Sequence, residues 1–136
     1  MTEVCVSKAK NCIGYDVTDE KKPFYLLNNV FVVIETYKDI IRFAIPKGYK
    51  WDGCTIKGKF LQLFFGCSHT PEYVIPSLLH DYILDHKDIV EYDRELSSEI
   101  LEVSLINWGV GKLKAKIMRI AVDLWQKYIR GDEWVG

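Results

Sequence analysis

The sequence lacks most of the features that announce a function. No apolar run reaches the ~18 residues of a membrane-crossing helix, so no span is expected. The start, Met1-Thr2-Glu3, carries neither the basic nor the apolar region of a secretory signal, so the expected compartment is the cytoplasm. Charge of one sign is not in excess: 18 Lys and Arg stand against 19 Asp and Glu. That balance excludes bulk attraction to nucleic acid or to an anionic membrane. Cysteine is scarce and unpaired, with Cys5, Cys12, Cys54 and Cys67 forming no CxxC; reduced thiols are expected. Gly66-Cys67-Ser68-His69 brings two zinc-type ligands close together, but the other cysteines are too widely spaced for a structural zinc site. A Gly-rich phosphate loop, a Gly-x-Ser-x-Gly elbow and a His-Glu-x-x-His pair are all missing.

What is present is an ordinary globular composition, 49% apolar over 136 residues, enough for one domain spanning residues 1–136. Residues 1–22 form an N-terminal segment and residues 24–56 are β-rich. Val30 to Thr36 and Ile40 to Ile45 are rich in β-branched and aromatic residues. The polar link Tyr37-Lys38-Asp39 between them predicts a hairpin. From about residue 57 the chain is mainly helical. Ile75, Leu78, Leu79, Tyr82 and Ile83 recur at helical spacing, and Pro76 predicts a helix start close to itself. A second helix is expected after Val90, with Asp93 near its N-terminus and Gly109 past its end. In a third, Leu113, Ile117, Ile120, Ala121, Leu124, Trp125 and Tyr128 form an apolar stripe, with Lys112, Lys114, Lys116, Arg119 and Lys127 largely outside it. The lysines read as a solvated outer face. Phe60 to Phe65 suggests a short buried helix at the junction of sheet and helices. The fold class is therefore α+β, a small antiparallel sheet packed against about three C-terminal helices.

Three places could carry chemistry. His80-Asp81 lies inside an apolar helix, where an imidazole serves as general base or metal ligand and a carboxylate as ligand or orienting group. A core His bonded to a backbone carbonyl gives the same pattern. Trp51-Asp52-Gly53-Cys54-Thr55 suits a turn that aims a carboxylate, and equally an ordinary Asx turn. Asp85, His86, Asp88, Glu91 and Asp93 with Arg94 are dense in ligands, as an inter-helix loop and helix-start acids also would be.

The order Ile45-Pro46-Lys47-Gly48-Tyr49-Lys50-Trp51-Asp52-Gly53-Cys54-Thr55-Ile56, then Leu78-Leu79-His80-Asp81-Tyr82, resembles the family known as domain of unknown function 1353, whose members are common in bacteriophages and prophages. The resemblance runs from about Phe24 to Arg130. It implies that Asp52, His80 and Asp81 share a pocket, with Thr55 keeping the family's hydroxyl and Tyr82 and Arg94 beside them. Cys54, Lys57 and Leu84 depart from the family pattern. Its later Asp falls on Ser98 if Arg94 takes the Arg position, and on Asp93 in a shifted register.

Two functions follow as expectations. One is a phage- or prophage-derived accessory protein, a virion, tail or host-interaction component with a protein partner, in which the His-Asp pocket is structural. The other is a small hydrolase in which His80, Asp81 and Asp52, with Asp93, hold a divalent metal and the first three do the catalysis.

Overall fold

The computed structural model describes residues 2–7, 12–51 and 71–128. Among these residues six strands precede three helices: β1 (Glu3–Ser7), β2 (Ile13–Tyr15), β3 (Phe24–Leu26), β4 (Val30–Glu35), β5 (Ile40–Ile45) and β6 (Lys50–Trp51), then α1 (Pro71–Asp85), a 3-10 turn (Lys87–Val90), α2 (Arg94–Asn107) and α3 (Lys112–Tyr128). The class is α+β. The strands form two antiparallel sheets of three, ordered β1-β4-β5 and β2-β3-β6.

The predicted hairpin is β4-β5, with Val30 opposite Ile45 and Ile34 opposite Ile41. Period-two alternation buries Val30, Val32 and Ile34 on one face. Thr36 and Asp39 close its turn, the Thr36 amide donating to the Asp39 carbonyl at 2.9 Å. Pro46 to Tyr49 then passes the chain to the other sheet. The Tyr49 amide donates to the Pro46 carbonyl at 3.1 Å, and Gly48 sits at φ +87°, which a type II turn requires at this position.

Helix α1 begins at Pro71, five residues before the expected start, and contains Pro76. An interior proline removes one helix bond and costs ~3 kcal/mol. Here Tyr73, Val74 and Ile75 are all buried, and burial at ~1.5–3 kcal/mol for each large apolar side chain offsets that loss. Helix α2 starts as predicted, since Asp93 Oδ1 accepts from the Leu96 amide at 3.1 Å. It ends at Trp108 with Gly109 at φ +107°.

The main core lies between the sheets, α1 and α2, built on Leu26, Val30, Ile34, Ile45, Trp51, Leu78, Leu79, Ile83 and Ile100. A smaller cluster of Tyr73, Leu101, Leu105, Val110, Ala115 and Met118 seats α3. The sequence reading of α3 as one helix is correct, but its lysine-free stripe is not the packed face. Leu113, Ile117, Ile120, Leu124 and Tyr128 are between 43% and 73% exposed. The packed residues are Ala115, Met118 and Gln126, with Ala121 and Val122 beside them. Ala115, Met118, Val122 and Gln126 form the inward face, while the bulkier stripe, close to half a turn away, faces outward. No helix among the described residues is long and apolar enough to cross a membrane.

Candidate functional site

Both halves of the family-like pattern meet through aromatic rings. Tyr49 and Trp51, flanking the sheet-to-sheet crossing, have ring centroids 6.4 Å apart. Tyr49 meets Tyr82 of α1 edge-on at 5.1 Å, and its hydroxyl donates to Asp85 Oδ2 at 2.7 Å. Burial, then the Asp85 carboxylate, pushes the Tyr49 phenol well above its usual range. Tyr82 also stacks on Phe43 at 5.7 Å and on His86 at 4.2 Å. His86 Nδ1 donates to the Tyr82 carbonyl at 3.1 Å. Tyr49 thus joins Trp51 to α1. Asp52, Thr55, Cys54, Cys67, His69 and the apolar 60–65 run lie outside the described residues.

His80 projects from the same helix in another direction. Leu78, Leu79 and Ile83 anchor that face of α1 in the core, so the imidazole is 9% exposed. The Gln126 amide nitrogen donates to His80 Nε2 at 3.0 Å, which leaves the ring proton on Nδ1. Burial alone pushes the His80 pKa down to about 4, so the ring is neutral at physiological pH. Neither His80 Nδ1 nor Gln126 Oε1 has a hydrogen-bond partner among the described residues. Asp81 is half-buried and points about 100° round the helix from His80.

A second polar set lies one turn along α3. Asp123 Oδ1 accepts from Arg94 Nε and from the Ser98 hydroxyl, each at 3.0 Å. Arg94 and Ser98 are one turn apart on α2, so both reach one carboxylate. In the register that puts Ser98 at the family's Asp position, an acidic group is present but comes from α3. Asp93 of the other register spends Oδ1 on its own helix start. The structure therefore brings Arg94 and Ser98 to Asp123, and His80 to Gln126, and it places Asp93 at a cap. Sequence reasoning missed Asp123 and Gln126; their spacing of three inside a packed helix was the available signal.

Chemically, the arrangement holds helices together. Among the described residues no three His, Cys, Asp or Glu side chains converge closely enough to bind a metal ion. Among the described residues, His80 has a buried ring nitrogen, Nδ1, without a partner, and Asp52 and Asp81 are the companions the sequence suggests.

Residues 27–122 match the family described as "Protein of unknown function (DUF1353)". No curated protein and no solved structure showed similarity to the chain. The match covers well over half of the sequence and includes the Gly48 turn, the His80-Asp81 pair and the Arg94-Ser98 helix. The chain belongs to the DUF1353 family.

Proposed function

We propose that this chain is a single-domain phage- or prophage-derived accessory protein that acts by binding a phage or host protein, in the bacterial cytoplasm or on a virion, with its His-Asp pocket serving structure. One observation carries the non-enzymatic part: His80 is buried, neutral and bonded through Nε2 to a second buried side chain, Gln126. A general base must instead reach substrate. The phage association rests on the family resemblance.

A second reading, a metal-dependent hydrolase using His80, Asp81 and Asp52, is favoured by one atom. His80 Nδ1 is buried with no partner among the described residues; with the Gln126 amide turned so that Oε1 accepts from Nε2–H, Nδ1 carries the lone pair a metal ligand needs. Elemental analysis of protein purified without chelator, with metal titrations and melts of wild type, His80→Gln and Asp52→Asn, separates the two. The binding reading expects no retained metal and a loss of melting temperature in His80→Gln. Stoichiometric metal that disappears in both variants, with melting unchanged, overturns it.

A further inference from the structure

Helix α3 offers two faces. At 100° per residue, Leu113, Ile117, Ile120, Leu124 and Tyr128 fall within about 80° of arc, well away from the arc of Ala115, Met118, Val122 and Gln126 that packs on α2. Exposed apolar side chains scattered singly are ordinary; five on one stripe, 43–73% exposed, form a patch. Their steps are four, three and four from Leu113 to Leu124, the spacing of a coiled-coil seam with Ile117 and Leu124 at a, Leu113 and Ile120 at d.

This seam complements itself when reversed. Consider a two-fold axis crossing α3 between Met118 and Arg119. Leu113 then lies against the partner's Leu124, and Ile117 against the partner's Ile120, each contact made twice. The same register sets Lys116 beside the partner's Asp123 at the flank. Lys116 is exposed and has no ion-pair partner among the described residues. Asp123 uses only Oδ1 for Arg94 and Ser98, and its side chain is 25% exposed, so Oδ2 is left to receive a lysine. Parallel pairing loses this match: Lys127, the next d position, would meet its own copy, and Lys116 would face Ala121. The 52–70 segment of the same chain fits the rim less well, since Lys57 and Lys59 outnumber its one acid, Asp52.

We infer that the exposed face of α3 is an antiparallel homodimer interface, closed by Leu113–Leu124 and Ile117–Ile120 layers and flanked by Lys116–Asp123 pairs. The inference does not depend on the role of His80.

Sedimentation equilibrium over a wide concentration range is the test. The wild type should shift with concentration from the mass of one chain to twice that mass. Ile117→Glu with Ile120→Glu should remain a monomer, with unchanged helicity because both positions are exposed. Lys116→Glu, a rim change that leaves the seam whole, should weaken association by roughly tenfold, because two flanking attractions become repulsions. Orientation is read by cross-linking in a background with Cys5, Cys54 and Cys67 replaced by serine. Leu113→Cys and Leu124→Cys proteins should form a mixed disulfide pair when combined and little when alone. A wild type that is monomeric at every concentration overturns the inference, whether its own chain or nothing covers the stripe. So does a dimer that survives both glutamates, or a Leu113→Cys protein that cross-links chiefly to itself.

Discussion

Gln126 and His80, 46 residues apart in sequence, meet at 3.0 Å between α3 and α1. Each is buried, and each closes one hydrogen-bonding atom of the other. Removing one partner strands a buried polar atom, which costs about 1–3 kcal/mol, whereas replacing both by apolar groups is nearly neutral. Gln126→Leu and His80→Leu should each lower unfolding free energy by about that amount, and the double variant should lose less than the sum. Urea melts of the four proteins give the coupling directly. Additive losses would mean that the two side chains do not sense each other.

Acid should act on the same imidazole. Burial lowers the His80 pKa from 6.5 to about 4 in the folded chain, and unfolding restores the ordinary value. Between those two pH values the unfolded chain binds the additional proton. Stability from this group is therefore complete above about pH 6.5, falls as pH drops towards 4 and levels off below it. Its size is roughly 3 kcal/mol, at 1.36 kcal/mol per pKa unit. Subtracting the His80→Leu pH profile from the wild-type profile isolates it. A flat difference would show that His80 titrates normally.

The bridge from α2 to α3 predicts an asymmetric mutational response. Asp123→Ala leaves both Arg94 and the fully buried Ser98 without their shared acceptor, so a loss of about 1–3 kcal/mol is expected. Ser98→Ala removes one neutral donor and should cost ~1 kcal/mol. Thermal melts rank the two. Equal losses would place the energy in the serine rather than the ion pair.

Tyr49 separates ring from hydroxyl. Tyr49→Phe keeps the contacts with Trp51 and Tyr82 and gives up only the exposed bond to Asp85, at ~1 kcal/mol or less. Tyr49→Ala removes the ring that joins the crossing turn to α1, and ~3 kcal/mol or more should go with it.

Gly48→Ala tests the turn alone. A Cβ at this position meets nothing within 4 Å, yet the backbone is at φ +87°. The cost should be the left-handed conformation itself, about 1–2 kcal/mol, seen as a lower urea midpoint with an unchanged slope.

Local chemistry explains which parts of this were legible in the sequence. The β4-β5 hairpin, the Asp93 cap and the Gly109 stop are written in neighbouring residues, and they appear as expected. The start of α1 was obscured because a local rule, proline at the first turn, competes with burial of Val74 and Ile75 by distant strands. The packed face of α3 was misleading for a related reason. Periodicity weights the largest apolar residues, while the contact with α2 selects small ones such as Ala115 and Ala121. Of the polar groups, His80 and Arg94 stood out against their surroundings. Asp123 and Gln126 lie on the helix that carries the lysines and look solvated until α1 and α2 are set against them.

The unequal seating of α3 also bears on how the molecule opens. The large cluster binds both sheets to α1 and α2, whereas α3 is held by the small cluster and a few polar bridges to its neighbours. A helix tethered this way can detach as a unit while the remainder stays folded. Its amide protons should then exchange with solvent deuterium through a partial opening, sooner than those of α1 or the central strand β4. In the paired form that opening must break the seam as well, so protection of α3 amides should rise with protein concentration while that of β4 stays constant.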